Sequence, residues 1–146
     1  MYRSSFADPL TYVRLFGHVL GHASYEHYMG NMMLLLVIGP ALEEKYGSDK
    51  LLFSILFTAA VSGLVQMALF PHSALLGASG IVFMMIVLSS LSGMKNGSIP
   101  LTLILVVLLY LGGELWDAVT VRDNVSQLTH IVGGLCGAGL GLMMKR

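Results

Sequence analysis

Apolar residues dominate five segments of the chain, and each segment is long enough for a membrane helix. The segments cover residues 25–42, 51–70, 79–94, 99–116 and 127–144. A helix needs roughly 20 apolar residues to cross a bilayer, and fewer where neighbouring helices shelter it from lipid. The third segment is the shortest, so we expect other helices to surround it. The pattern therefore predicts an all-α polytopic membrane helix bundle with five membrane helices.

Turn-forming residues lie between these segments and set the domain organisation. Glycine, proline, asparagine and serine cluster at residues 46–49, 70–73, 95–98 and 122–124, as is typical of loops. Residues 1–24 differ, because they are more polar and have amphipathic helical character. We expect residues 1–146 to form a single domain, with an external loop over 1–24 and membrane helices with their connecting loops over 25–146.

The composition supports a membrane environment and excludes several function classes. The 146 residues are 55% hydrophobic and 11% charged, with a mean hydropathy of +0.78, whereas a soluble domain has roughly a quarter of its residues charged. The net charge is zero, with no basic patch for nucleic acid. The single cysteine, Cys136, excludes an internal disulfide and a cysteine-cluster metal site. No signal peptide is visible in residues 1–12.

The basic residues predict the orientation of the bundle. Cytoplasmic loops of membrane proteins carry an excess of lysine and arginine. With the N-terminus outside, the inside loops hold five basic residues and the outside loops hold three: inside, Lys45, Lys50, Lys95, Lys145 and Arg146; outside, Arg3, Arg14 and Arg122. An odd number of spans with an outside start leads us to expect a further helix before this sequence.

Two polar residues stand at the starts of apolar helices: Ser79, within Gly77-Ala78-Ser79-Gly80, and His130. A serine hydroxyl becomes a nucleophile when a base takes its proton, and histidine is the usual base near neutral pH. A helix start also supplies free N–H groups that favour an oxyanion. Each residue alone has a simpler explanation, Ser79 as an N-cap and His130 as an interfacial histidine bonded to a carbonyl. Together they indicate a nucleophile and its base at one depth, where polar groups tend to be functional.

Glycines follow His130 at every fourth position, at Gly133, Gly137 and Gly141. Such a stripe lets another helix approach closely, and plain packing is its most frequent role. Packing against the helix that begins at Ser79 would bring His130 within hydrogen-bond reach of the serine.

His27 and Asn31 are four residues apart on the first apolar helix and so share a face. The side-chain amide of Asn31 would be unfavourable in contact with lipid. The pair could stabilise an oxyanion, typically at about 3 kcal/mol per donor, or form an interhelical hydrogen bond of roughly 1 kcal/mol. The orientation above places His27, Ser79 and His130 near the outer ends of their helices, and we expect the inner half of every span to be apolar.

Other polar residues have weaker claims. One helical face could be formed by His18, His22 and Glu26 and could hold a metal. We favour a structural role instead, in which His22 and Arg14 bond loop backbone near the site. We predict no metal and no cofactor. His72 is interpreted as a plain loop residue. Two acids, Glu114 and Asp117, lie at the outer end of the fourth apolar segment. Either could be a triad acid, although snorkelling at the interface explains both more simply.

These motifs together resemble the rhomboid family of intramembrane serine proteases over nearly the whole chain. The spacing of His22, His27 and Asn31 resembles the family's pattern on its second membrane helix. Gly77-Ala78-Ser79-Gly80 resembles the Gly-x-Ser-Gly at the start of its fourth. His130 with its following glycines resembles the catalytic histidine and glycine stripe of its sixth.

The resemblance implies a role for each residue. Ser79 would be the nucleophile and His130 the general base, in a dyad without an acid. His27, Asn31 and the Ser79 N–H would form the oxyanion hole, with backbone at Leu76 and Gly77 nearby. Phe83 lies where the family often has a ring stacked beneath the histidine. The resemblance also implies that residues 2–25 form the first external loop, that residues 117–126 form a flexible cap over the active site, and that the fourth span could act as a lateral gate.

The resemblance has departures and rivals. The family's first membrane helix has no counterpart here, and the Trp-Arg pair common in its first external loop appears as Val13-Arg14. We expect a multi-pass protein of the cell membrane, with its site towards the outside and transmembrane proteins as substrates. One rival is a non-catalytic rhomboid-like protein that binds membrane clients. Such proteins usually lose the serine or the histidine of the dyad, whereas this chain retains both Ser79 and His130. Another is a small transporter or channel subunit, which needs a polar path across the membrane. The oligomeric state and the substrate stay open.

Overall fold

The computed structural model describes residues 5–93, residues 104, 108 and 112, and residues 124–144. Within this part of the chain there are five longer helices, one short 3-10 turn and no strand. The elements are α1 (Pro9–Gly17), the 3-10 turn (His18–Leu20), α2 (Tyr25–Tyr46), α3 (Ser48–Leu69), α4 (Ser79–Gly93) and α5 (Asn124–Met144). The predicted all-α architecture is therefore confirmed for the described residues.

The N-terminal segment contains a capped helix. The Asp8 carboxylate accepts the backbone N–H two residues on, at 3.0 Å, and Pro9 occupies the first helical position, where its missing N–H costs nothing. Arg14 lies 3.3 Å from the same carboxylate. We expected Arg14 to bond loop backbone, but its side chain forms this ion pair, because the Asp8 cap lies within its reach. α1 packs across α3, where a Cβ atom on Gly63 would lie 2.9 Å from the Leu15 side chain.

α2 and α3 form a helical hairpin that turns at Gly47. Ser24 caps α2 by accepting the backbone N–H of His27 at 3.2 Å. α2 ends where Gly47 takes a φ of +87°, a conformation that glycine adopts readily. The buried residues of α2 recur at helical spacing, so they form one face; they are Asn31, Leu34, Ile38 and Leu42.

α4 lies at the centre of the bundle and contacts α2, α3 and α5. Its apolar side chains are buried almost all round, with Met84 and Leu88 fully inaccessible. A helix buried on every side need not match the thickness of a bilayer, since its neighbours rather than lipid surround it. The prediction that the short third segment is enclosed by other helices is therefore confirmed.

The predicted spans match the helices in position. Predicted segments 25–42, 51–70, 79–94 and 127–144 correspond to α2, α3, α4 and α5, with α2 reaching four residues further and α5 beginning three residues earlier. By length and composition, Ser48–Leu69 and Gln127–Met144 could each cross a membrane, and Ser79–Leu91 is a shorter apolar helix. Five membrane crossings stay a prediction. The segment 99–116, the loop 117–126, Glu114 and Asp117 lie outside the residues described in full.

Candidate active site

Ser79 is the first residue of α4. The carbonyl of Ala78 accepts the N–H of Val82 at 2.9 Å, and the residue whose carbonyl accepts the first helical bond is the N-cap. The capping position therefore belongs to Ala78, whose side chain cannot cap, and the interpretation of Ser79 as a capping serine is wrong. The first N–H groups of a helix have no partner within it. Ser79 is 5% exposed, so its hydroxyl lies beside such donors in a largely dry position.

His130 lies against the helix of Ser79. Its imidazole is parallel to the ring of Phe83, with the ring centroids 4.3 Å apart and an angle of 9° between the planes. Phe83 is one turn beyond Ser79, and residues four apart lie on the same helix face. The stack that the resemblance implies is thus present, and it holds His130 over the face of α4 that carries Ser79.

The glycine stripe of α5 explains how the two helices come so close. A Cβ atom on Gly133 would overlap the carbonyl oxygen of Gly80, and one on Gly137 would lie 2.5 Å from the carbonyl oxygen of Met84. Gly139, on another face, has nothing within 4 Å. In membrane helices, small residues commonly allow the backbones of two helices to approach this closely. Because Gly133 is less than one turn from His130, this contact also fixes the height of the histidine.

His27 packs directly on the loop that leads to Ser79. Gly77 has a φ of +120°, which is strained for any residue with a side chain. A Cβ atom there would lie 2.9 Å from Cε1 of His27. The Gly77 N–H donates to the carbonyl of His18 at 3.1 Å, which holds the loop in place. Asn31 lies one turn after His27 and is fully buried, so His27 and Asn31 are both on the inward side of α2.

Comparison with known proteins shows the family of the chain. The model of the Rhomboid domain matches residues 9–146. The chain belongs to the rhomboid family. Rhomboid-related protein 1 of Caenorhabditis elegans is 28% identical over 140 residues, which cover 90% of this chain and 39% of that protein. This rhomboid chain thus spans well under half of that relative's length. Membership of the family and the apolar helices make it an integral membrane protein.

A polar row on α3 also borders the site, and the sequence analysis missed it. Its members recur every fourth residue and are buried: Ser54, Thr58, Ser62 and Gln66. Ser54 donates to the carbonyl of Lys50 at 2.7 Å, and a Cβ atom on Gly80 would lie 3.3 Å from the Ser62 hydroxyl oxygen. The expectation that the inner half of every span is apolar is therefore wrong, because the row extends from Gln66 to Ser54, near the opposite end of α3. The four-residue spacing was the signal available in the sequence.

Gln66 anchors the loop between α3 and α4. Its side-chain amide nitrogen donates to the carbonyls of Phe70 and Ser73, each at 3.1 Å. Backbone carbonyls that are shielded from water need hydrogen-bond donors, and Gln66 supplies a donor to two of them from the end of α3. The loop that presents Gly77 and Ser79 is thus tied to the bundle at both ends.

The remaining histidines of this rhomboid have separate settings. His18 is buried, and its Nε2 donates to the carbonyl of Ala59 at 3.1 Å; burial lowers the pKa of His18, although this hydrogen bond works in the opposite direction. His22 bonds the carbonyl of Leu20, as the predicted structural role requires. His72 is exposed in the loop after α3.

The alternative of a metal face at His18, His22 and Glu26 does not hold, because these residues do not share one helix. The 3-10 turn ends at Leu20 and α2 begins at Tyr25. Residues four apart share a face only within one helix, so the spacing does not bring these three side chains to one face. Among the described residues, no group of three or more histidine, cysteine or acidic side chains could hold a metal ion.

Proposed function

We propose that this rhomboid is an intramembrane serine protease that cleaves membrane helices of other proteins near the outer interface. Ser79 is the nucleophile and His130 the general base, in a dyad without an acid. The observation that carries the proposal is the parallel stack of His130 on Phe83. This stack supports the assignment because it brings the imidazole to the face of α4 that carries the buried Ser79, where a base for that serine is needed.

The proposed reaction uses the dyad twice. His130 takes the proton of the Ser79 hydroxyl as the oxygen attacks the substrate carbonyl carbon, and the carbonyl oxygen becomes an oxyanion. His130 then gives the proton to the leaving amine, and the peptide bond breaks to leave an acyl-enzyme. His130 then takes a proton from a water molecule as the water oxygen attacks the ester carbonyl carbon. The bond from that carbon to the Ser79 oxygen breaks, His130 returns the proton to this oxygen, and the new carboxylic acid leaves.

The oxyanion is stabilised from two sides. The N–H of Ser79 comes from the start of α4, where the helix dipole is positive. His27 and Asn31 come from α2, and the contact of His27 with Gly77 brings that helix to the same loop. A donor aimed at developing charge is worth about 3 kcal/mol. The assignment of His27 and Asn31 to the oxyanion hole is therefore supported by the meeting of α2 with the loop that leads to α4.

The substrates are transmembrane proteins, because the site is built into a membrane protein of this family. A peptide bond inside a helix is sheltered by its hydrogen bonds, so the substrate must unwind locally before Ser79 can reach it. Water must also reach the site, and the buried hydroxyl of Ser62 beside Gly80 offers a polar group next to it. Substrates with helix-breaking residues near the outer interface are expected to be cleaved faster. Cleavage rates that ignore helix stability across a series of substrates would remove this part of the proposal.

Labelling with a fluorophosphonate probe tests the catalytic assignment. Detergent-solubilised wild type should label, while Ser79→Ala and His130→Ala should not, because the first removes the nucleophile and the second its base. Ser90→Ala is the matched control, since Ser90 is on the same helix and its hydroxyl donates to the carbonyl of Ile86 at 2.9 Å. Cleavage of a reconstituted transmembrane substrate should follow the same order.

The rival function gives the opposite result. A non-catalytic rhomboid that binds membrane clients would retain client binding in folded protein but would not label at Ser79. Labelling of Ser79→Ala to the wild-type extent would also refute the assignment, because the reactive serine would then lie elsewhere.

A further inference from the structure

The ring of His27 contacts two groups, the loop that leads to Ser79 and the ring of another histidine. On one side it meets the backbone of Gly77, whose Cβ position lies 2.9 Å from Cε1 and 3.2 Å from Nε2 of His27. Next to it lies His22, with ring centroids 5.4 Å apart and planes at 81°. An edge-to-face arrangement at this distance is a favourable one for aromatic rings. His27 is therefore in contact both with a loop that admits no side chain at Gly77 and with a second imidazole.

The orientation of His22 is itself fixed at two points. Its Nδ1 lies 3.3 Å from the carbonyl of Leu20, and because a carbonyl only accepts, Nδ1 carries the proton. The ring makes a second edge-to-face contact with Tyr28, with centroids 5.2 Å apart and planes at 83°. Its Nε2 is buried and makes no hydrogen bond within the described residues. His22 thus uses one nitrogen to set its own position and the rest of its ring as a packing surface.

From this geometry we infer that His22 is a positioning residue, which holds the imidazole of His27 against Gly77 so that His27 meets the oxyanion in one orientation. The inference rests on the proposed protease function, and it adds that the aromatic ring of His22, rather than its hydrogen bond to the Leu20 carbonyl, is what the reaction needs. His22 contacts neither Ser79 nor the substrate in this role and acts only through His27.

Two substitutions separate the ring from the hydrogen bond. His22→Phe keeps an aromatic ring beside His27 and loses the donor to Leu20. His22→Asn keeps a donor at the position of Nδ1 and loses the ring. His72→Ala is the matched control, because His72 is an exposed loop histidine. The inactivation rate constant and the binding constant of the fluorophosphonate are measured separately for each, together with the final extent of labelling.

The expected pattern is specific to positioning. His22→Asn should lower the inactivation rate constant roughly 2- to 12-fold, the range that an aromatic pair is worth, with an unchanged binding constant. His22→Phe should stay within about twofold of wild type, and His72→Ala should match it. Misfolding would instead lower the final extent of labelling without changing the rate of the folded fraction. A rate for His22→Asn equal to wild type, or a rate for His22→Phe as low as that of His22→Asn, overturns the inference.

A measurement that does not depend on activity accompanies the kinetics. In protein with labelled histidine, the ring resonances of His27, identified by their loss in His27→Asn, should shift in His22→Asn and stay close to wild type in His22→Phe. If the wild type does not label while these shifts follow the expected pattern, the protease proposal fails and the placement of His27 by His22 stands. If the wild type labels and the resonances of His27 do not respond to His22→Asn, only the positioning role fails.

Discussion

Substitution of Gly133 by alanine tests whether the α4–α5 contact sets the geometry of the dyad. A Cβ atom on Gly133 would overlap the carbonyl oxygen of Gly80, and it would lie 2.8 Å from the carbonyl carbon and 3.0 Å from Cα of the same residue. All three atoms are backbone, so no side chain can rotate out of the way. The helices themselves must separate, and His130 and Ser79 are attached to them at this height.

The size of the effect follows from these distances. Ordinary contact with a Cβ atom begins at 3.4 Å, so the carbonyl carbon of Gly80 must retreat by about 0.6 Å and its oxygen by more. A misplacement of about 1 Å at a catalytic site can cost roughly 100-fold in rate. Overpacking costs about 1–3 kcal/mol of stability, of which the higher helix propensity of alanine returns about 0.5–1 kcal/mol. We therefore expect Gly133→Ala to lose about 100-fold in kcat while most of the protein stays folded.

The assay compares Gly133→Ala with Gly139→Ala, in the same helix. Gly139 has nothing within 4 Å of its Cβ position, so alanine there should keep full activity and gain slightly in stability. Proteolysis of a transmembrane substrate gives kcat, and denaturant unfolding in detergent gives stability. Wild-type activity in Gly133→Ala, with Gly139→Ala also unaffected, would refute the argument, because the dyad would then tolerate separation of its helices.

Three further expectations follow from individual contacts. Phe83→Ala removes the ring beneath His130 and should lower activity roughly 2- to 12-fold, the worth of an aromatic pair, whereas Phe83→Tyr should keep most of it; equal rates in both variants would contradict the stacking role. Gln66→Leu deprives two loop carbonyls of their donor and should cost about 1–3 kcal/mol in unfolding experiments, a loss that an unchanged unfolding midpoint would exclude. Burial lowers the pKa of His18 from 6.5, so below about pH 6.5 the unfolded chain binds a proton that the folded chain does not. The free energy of unfolding should therefore be at its full value above about pH 6.5 and fall as the pH drops towards the folded-state pKa. His18→Gln should make the free energy of unfolding less dependent on pH.

The sequence could predict the parts of the molecule that follow from local periodicity. The starts of α2 at Tyr25 and of α4 at Ser79 were predicted to the exact residue, because an apolar run begins at each. The close approach of α5 to α4 could be predicted because glycines at every fourth residue form a smooth face against which another helix can pack closely. These features depend on spacing within one helix, which a sequence displays directly.

Features that depend on contacts between segments could not be predicted in the same way. The buried row that contains Ser62 and Gln66 was missed, although its four-residue spacing is visible in the sequence, because a serine or threonine is unremarkable in any one position of a membrane helix and the site it borders is formed by other helices. His18, His22 and Glu26 have helical spacing, but the chain leaves the helix between them, which their spacing alone does not reveal. The contact of His22 with His27 crosses the turn before α2, so only the structure brings the two rings together.

His18 connects three separate parts of the chain at one residue. Its carbonyl accepts the N–H of Gly77, and its imidazole donates to the carbonyl of Ala59. The nucleophile loop, the N-terminal segment and α3 are therefore parts of one scaffold, although they are far apart in sequence. The smallest piece of this chain that can hold Ser79 in place includes the segment before α2. Stepwise trimming from the N-terminus should abolish the site once it passes His18, while every helix from α2 onwards is still intact.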